Sequence, residues 1–342
     1  MSRYRKQILF DGLGEAGQSR LRESRVLCVG CGALGSVIAE SLVRAGVGML
    51  RIADRDFVDL SNLQRQVLYD EEDVAQRLPK AIAAANKLRR INSDVVIEPH
   101  VADVTCQSVG ELCDGVNLIM DGTDNFETRF LINDAAIEAG IPWIHAGCVG
   151  AHGQVMAIVP GQTPCLRCLM PEMPGPGTSE TCDTAGVIGP AVQIVASLQV
   201  VAALKILSGQ TELIRPELTV IDVWDGTLRQ LKLSGLQEAG GCQCCGRREF
   251  PFLHGDEGSR SVVLCGRNSV QVAPSTSGKL SLFDLANRLD PSGEVQANPF
   301  LVRFRPDESE HELTIFADGR AIITGTEDLA EAKSLYARYI GA

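Results

Sequence analysis

Aromatic residues make up only 5% of this 342-residue chain, which excludes a core of stacked rings and leaves Ala, Val and Leu to fill an α/β interior. No block of Lys or Arg relieves a net charge of −11, so neither a nucleic-acid surface nor contact with an anionic membrane is expected. The opening stretch MSRYRKQILF passes from charged to apolar residues and is interrupted at Asp11. It does not read as a signal peptide, and a cytoplasmic location is the expectation. Long apolar runs are scarce too. The longest, Gly189 to Leu207, carries Gln193, Ser197, Gln199 and Lys205 and only approaches the roughly 20 apolar residues of a bilayer span; it reads as a buried or dimer-facing helix. Cysteine is what the chain has in plenty. Twelve of them without an export signal point to metal ligation, catalysis or reduced thiols rather than a disulfide framework.

The length exceeds what one core usually fills, and the composition divides it into a large α/β domain, residues 1–247, and a small α+β module, residues 248–342. In the first, apolar strands at Arg25 to Val29, Met49 to Ala53, Val95 to Pro99 and Val116 to Met120 alternate with helical patterns. That order predicts a Rossmann-like, doubly wound and mostly parallel sheet. Two strands are expected between 141 and 160, a Pro/Gly-rich loop from Met170 to Ser179, the helix 189–208, and a hairpin near 218–233. The module reads as strands at Ser261 to Leu264, Val270 to Ala273 and Phe300 to Arg305, a hairpin over 312–324, and helices at Leu282 to Arg288 and Leu329 to Tyr339.

Gly30-Cys31-Gly32-Ala33-Leu34-Gly35 follows a strand and opens a helix, the arrangement that brings backbone donors to a phosphate. Asp54, at the end of the next strand, is placed for ribose hydroxyls. This fingerprint alone does not separate NAD from ATP, so an NAD-dependent oxidoreductase stays open at this point. The run Ser61-Asn62-Leu63-Gln64-Arg65-Gln66 and the pair Pro79-Lys80 add cations suited to a triphosphate. Asp124 and Asn125 end another parallel strand, where a carboxylate suits Mg²⁺, although an Asp in D-G-T-D-N could equally cap the following helix.

Cys165-x-x-Cys168 and Cys242-x-x-Cys245 have the spacing of a closed, structural Zn²⁺ site. Cys244 is a rival for Cys245, and two redox pairs are the competing reading. Cys182, in TCDTAGV, precedes a predicted helix, where a thiol gains nucleophilicity; a thioester or persulfide role stands beside a merely structural one. Cys28, Cys31, Cys106, Cys113, Cys148 and Cys265 read as small core residues.

In order along the chain, RYRKQ (3–7), GCGALG (30–35), DRDFVDLSNLQRQ (54–66), PK (79–80), GTDN (122–125), CLRC (165–168), TCDTAGV (181–187) and GCQCCG (241–246) resemble the ThiF/MoeB/HesA family. These are prokaryotic relatives of ubiquitin-activating enzymes. The resemblance implies an adenylyltransferase acting as a homodimer. It would use ATP and Mg²⁺ to activate the C-terminal Gly-Gly carboxylate of a ubiquitin-like sulfur-carrier protein, for thiamin, molybdopterin or thiolation pathways. Gly30, Gly32, Ala33, Gly35, Asp54, Asp56, Ser61, Asn62, Leu63, Gln64, Arg65, Lys80, Asp124 and Asn125 match the nucleotide site. Arg65, Lys80, Asp124 and an N-terminal cation would carry catalysis. The family's arginine before Gln7 is Lys6 here, with Arg5 beside it, and Lys offers charge without a planar fork. Sulfur would come from a cysteine desulfurase or another donor, or through Cys182. A related tRNA threonylcarbamoyladenosine dehydratase is the alternative within the superfamily. The module 248–342 is expected to dock the carrier or to stabilise the chain.

Overall fold

The strand Arg25–Val29 (β1) is where the sheet begins, and its alternate residues serve two interiors: Val26 and Cys28 face one side, Leu27 and Val29 the other. Both faces are therefore covered, as a parallel sheet requires. The computed structural model describes residues 3–174, 185–236, 241–255, 261–264, 268–272, 280–307 and 309–340.

Helices α1 (Arg5–Ile8) and α2 (Gly14–Glu23) precede β1. Next come α3 (Ala33–Ala45), β2 (Met49–Ala53), α4 (Glu71–Ala75), α5 (Lys80–Ile91), β3 (Val96–His100), α6 (Val109–Cys113), β4 (Leu118–Asp121) and α7 (Phe126–Ala139). β5 (Trp143–Val149) and β6 (His152–Ile158) pair as a hairpin. Beyond α8 (Leu166–Leu169) and α9 (Gly189–Leu207) lie β7 (Glu217–Asp222), β8 (Thr227–Lys232) and α10 (Pro251–His254).

The strand order is β3-β2-β1-β4-β5-β6-β7-β8. Strands β3 to β5 along this order are parallel and the last three antiparallel. Helices α3, α5 and α9 cover one face, while α6 and α7 cover the other. The chain reverses its winding between β1 and β4, the position at which such sheets open a ligand crevice beyond their carboxyl ends.

Helix α9 is long and apolar enough to cross a membrane by length and composition. Its Ala191, Val192, Val195, Ala196 and Ala203 are nevertheless buried in the core. Gln199, fully buried within it, donates Nε2 to the carbonyls of Asp121 (2.9 Å) and Ile144 (3.3 Å). It is a core helix of the sheet.

Two compact units divide the chain, Met1–Glu257 and Gly258–Ala342. The division lies beyond the compositional boundary at 247 because Phe250 and Phe252 are buried in the first unit's second cluster, where the Phe252 ring packs at a tilt against Phe130 with centroids 5.2 Å apart. The second unit holds β9 (Ser261–Leu264), β10 (Ser269–Val272), α11 (Leu282–Leu289), β11 (Gly293–Ala297), β12 (Leu301–Pro306), β13 (Glu312–Phe316), β14 (Ala321–Thr324) and α12 (Leu329–Tyr339). They form one antiparallel sheet, β11-β12-β13-β14-β10-β9. Its core joins Val270, Phe304, Leu313, Ile315 and Ile323 to Leu285 and Tyr336 of the two helices. Strand β11 escapes sequence reading because GEVQA is an exposed edge without apolar alternation.

Candidate nucleotide site and cysteine cluster

Glycine is obligatory in the turn after β1 for two reasons. Gly30 has φ +82°, in the left-handed region, and a Cβ on it would meet the Gly122 carbonyl at 2.7 Å. A Cβ on Gly35 would lie 2.0 Å from the Gly30 carbonyl. The turn thus closes against the start of the Gly122–Asn125 loop with no room for side chains. Gly32 differs. A Cβ there would meet only Gln66 Nε2, at 3.7 Å, so this glycine keeps a space open in front of the α3 N-terminus. Gly32 caps the helix without a side-chain hydrogen bond, which leaves first-turn N–H groups directed at that space for an anion. Ala33 opens the helix with ordinary backbone angles, so its methyl is tolerated where the family has glycine.

Asp54 is buried behind the turn. Its Oδ2 accepts the Cys31 N–H at 2.6 Å and its Oδ1 the Asp56 N–H at 2.7 Å. Burial pushes the carboxyl above its ordinary range, against the pull of Lys80. Each oxygen retains a second lone pair for a ribose hydroxyl. Lys80, at the start of α5 and 3% exposed, donates Nζ to Asp56 at 3.1 Å. Tyr69 ties the two regions by donating its hydroxyl to the Cys31 carbonyl at 2.7 Å. Burial drives the Cys31 thiol up to about 12, so it is a packing residue and no nucleophile. Arg55, which sequence reasoning passed over, bonds Asp103 at 3.2 Å and lies in the field of Asp56, Asp124 and Asp54.

Asp59 caps the short turn Leu60–Asn62 and accepts from Ser61 N–H, while Asn62 returns its Oδ1 to the Asp59 N–H. This fixes the half-buried Leu63 and the Gln64–Arg65 segment. The Arg65 guanidinium donates to the Ser61 carbonyl at 2.9 Å. A Cβ on Gly189 would come within 3.1 Å of the Gln64 carbonyl, so α9 begins against this segment and presents its positive end there.

The Gly122–Asn125 loop is held from behind by a buried network. Asp121 Oδ1 accepts from Thr123 N–H (2.9 Å) and Oγ1 (2.7 Å); its Oδ2 accepts from Arg129 Nε (3.2 Å) and faces His145 Nδ1 (2.9 Å). Burial alone would raise the Asp121 carboxyl, but Arg129 and His145 bring it down to about 2. Burial depresses His145, which stays neutral. Asn125 caps α7 by accepting the Thr128 N–H at 2.8 Å. Asp124 is exposed at the mouth of the loop.

These shifts set a pH dependence. An unfolded histidine protonates below about pH 6.5 whereas buried His145 resists, so stability falls on acidification from that point. Asp121 adds a second loss between roughly pH 4 and 2, where the unfolded carboxyl protonates before the folded one. Asp134, whose carboxyl burial pushes up to about 6, gains stability on acidification over the same range, so the His145 effect is read as a difference: the change in thermal midpoint from pH 7 to 5 is expected to be less favourable in the wild type than in His145→Gln. Equal slopes in both proteins would contradict this assignment.

Arg5 and Lys6 are exposed on α1. Gln7 donates to Gln18 (2.7 Å) and to the Ala45 carbonyl (2.8 Å), and Tyr4 OH accepts from Asn92 at 2.8 Å. These contacts anchor α1 at the C-terminal end of α3, a 13-residue helix roughly 20 Å long by its rise per residue. The structure therefore does not bring Lys6 or Arg5 to the glycine turn of their own chain. Cys182 lies outside the described residues, as does Cys265.

Cys165, Cys168, Cys242 and Cys245 gather their sulfurs within 4.8 Å of one another. The closest pairs are separated by 3.4 to 3.8 Å, close to the edge of about 3.8 Å for a tetrahedron with 2.3 Å Zn–S bonds. Cys244 is not part of the quartet: it is buried and accepts from Asn133 Nδ2 at 3.2 Å. Asn133 Oδ1 also accepts the Leu166 N–H at 2.9 Å, so one α7 side chain steadies both cysteine pairs. Cys28, Cys31 and Cys113 are buried as expected, Cys148 is half-buried, and Cys106 is exposed instead, on the loop before α6.

The ThiF family model matches residues 4–244. A Bacillus subtilis (strain 168) protein named sulfur carrier protein ThiS adenylyltransferase is 47% identical over 340 residues, covering 99% of both chains. The SAMP-activating enzyme E1 of Haloferax volcanii is 41% identical over 66% of this chain and 83% of its own. Among solved structures, E. coli MccB with MccA-N7isoASN superposes with a TM-score of 0.62 at 20% identity, over 72% of this chain and 75% of that one; that likeness speaks to the fold alone.

Proposed function

The chain belongs to the ThiF family, and from that premise we propose that it is an ATP-dependent adenylyltransferase acting on the C-terminal carboxylate of a ubiquitin-like sulfur-carrier protein. A ThiS-like carrier is the first choice. The Bacillus relative so named matches both units of this chain from end to end, whereas the Haloferax enzyme covers only 66% of it.

The reaction needs no protein nucleophile. A carboxylate oxygen of the carrier attacks the α-phosphorus of ATP, the bond from that phosphorus to the α,β-bridging oxygen breaks, and pyrophosphate leaves with the electron pair on that oxygen. The product is a carrier acyl-adenylate, ready for displacement of AMP by sulfur. What the protein contributes is position and charge. The Gly30–Gly35 turn receives phosphate oxygens, Asp54 the ribose, and Arg65 and Lys80 the accumulating charge, with Lys80 released from Asp56 as phosphate arrives. Asp124, an exposed carboxylate relieved of capping duty by Asn125, would hold Mg²⁺ with phosphate oxygens, and that ion supplies charge neutralisation. The thiolates of Cys165, Cys168, Cys242 and Cys245 would hold a structural zinc.

We take the working unit to be a homodimer in which Lys6 or Arg5 serves the other copy's phosphates, since α1 is anchored far from its own glycine turn. Cys182 and an external sulfur donor belong to the later sulfur step. The observation that supports this reading is the tie between the glycine turn, a buried carboxylate and a buried lysine: Asp54 accepts the Cys31 N–H, and the Tyr69 hydroxyl reaches the carbonyls of both Cys31 (2.7 Å) and Lys80 (3.3 Å). ATP/pyrophosphate exchange tests it. Label should enter ATP only when a Gly-Gly carrier is present, and a carrier lacking the terminal glycine should be inert; exchange indifferent to the carrier would reject the proposal.

A further inference from the structure

Gln66 is 3% exposed, and its Oε1 is shielded from water without a hydrogen-bond partner among the described residues. Leaving such a group unpaired costs about 1–3 kcal/mol. Gln199 Oε1 is likewise unpaired among the described residues, so what sets Gln66 apart is its donor: Gln18 Nε2 is spent on the Ala45 carbonyl and Gln199 Nε2 on those of Asp121 and Ile144. Gln66 holds no such carbonyl. What it faces is the glycine turn, with Nε2 3.7 Å from the point a Cβ on Gly32 would occupy.

Its backbone is fixed on both sides. Gln66 N–H donates to the Asn62 carbonyl at 3.0 Å and its carbonyl accepts from Tyr69 N–H at 3.2 Å, while Tyr69 OH holds the Cys31 carbonyl. The carboxamide is therefore delivered to the rim of the phosphate space by the same segment that carries Arg65. The second glycine of such a turn is the one whose missing side chain lets phosphate approach.

We propose that Gln66 contacts the substrate, its Nε2 donating to a phosphate oxygen seated over Gly32; this rests on the adenylation reading above. As the α-phosphorus takes on a fifth oxygen, charge grows on its non-bridging oxygens. A neutral donor already fixed in place stabilises that charge without reorganising. Arg65 supplies charge and Gln66 direction.

Gln66→Met tests this, because methionine keeps the length of the side chain while removing both the unpaired acceptor and the donor. The thermal midpoint should be unchanged or raised. By titration calorimetry the affinity for adenosine, which has no phosphate, should stay near the wild-type value. Affinity for ATP should fall about tenfold and the exchange kcat about 10²-fold, the scale of losing one oxyanion donor. Gln66→Glu, which turns a carboxylate on the phosphate, should lose more. A folded Gln66→Met protein with wild-type ATP affinity and exchange would overturn the contact while leaving the adenylation reading intact. Equal weakening toward adenosine and ATP with a lowered midpoint would overturn it by assigning Gln66 to the fold. A wild-type chain that binds no ATP would remove both.

Discussion

Asp124→Ala is expected to abolish carrier-dependent ATP/pyrophosphate exchange, with a fall of about 10³-fold or more, while the protein stays folded. The magnitude follows from the several kcal/mol of charge stabilisation that a phosphate-bound cation supplies, at roughly 1.4 kcal/mol per decade of rate. The fold is spared for reasons visible in the structure. Asp124 is exposed, and the N-cap of α7 is Asn125, which accepts from Thr128. The cap would be worth about 1 kcal/mol, but it belongs to the neighbour. Circular dichroism and thermal unfolding should therefore match the wild type. Cys182→Ala, by contrast, should retain exchange even where sulfur transfer suffers, because the adenylation step needs no thiol. Exchange at wild-type rate in Asp124→Ala would overturn the proposed role of Asp124 in holding Mg²⁺.

The second large effect is expected on removing metal from the cysteine quartet. Cys165 and Cys242 lie 77 residues apart in sequence with their sulfurs 3.6 Å apart. A bound zinc would clamp the loop after β6 to the segment leading into α10. Structural zinc contributes on the order of 10–16 kcal/mol of apparent binding energy near neutral pH, against total stabilities of about 5–15 kcal/mol for ordinary domains. Chelation, or Cys168→Ser, should therefore lower the thermal midpoint of the first unit drastically and expose Phe250 and Phe252, which pack beside the quartet. Elemental analysis should return one zinc per chain. A metal-free protein with an undiminished midpoint would contradict the assignment, and intact disulfides under reducing preparation would favour the redox-pair reading instead.

What could be read from the sequence was what local spacing encodes. The Gly30–Gly35 turn and the two C-x-x-C pairs need particular residue types at fixed short intervals, so their chemistry is written within a few positions. The alternating strands β1, β2 and β4 were visible because burial on both faces leaves short apolar runs. The Asp121 network was not visible. It draws Arg129 from α7 and His145 from β5 to the Asp121 carboxylate, and Gln199 from α9 to the same residue's backbone carbonyl, and only the tertiary fold brings these together. Gln66 stood inside a motif, yet its isolation in a buried site depends on which groups surround it. Arg5 and Lys6 illustrate the converse. Their charge was apparent, but α1 is anchored at the far end of α3, a placement no pattern in RYRKQ specifies. Cys106, in the run VADVTCQS, carries an apolar signature and is nonetheless exposed.

Joining AMP to a carrier's terminal carboxylate is the reaction on which every role given to these residues depends. The most direct measurement is transfer of label from ATP carrying a radioactive α-phosphate to a purified Gly-Gly carrier, followed by acid quenching and mass analysis of the carrier's C-terminus. Labelled acyl-adenylate on the terminal glycine is expected, with matching release of pyrophosphate. An unlabelled carrier, together with uptake of a nicotinamide cofactor at the Gly30–Gly35 turn, would contradict it.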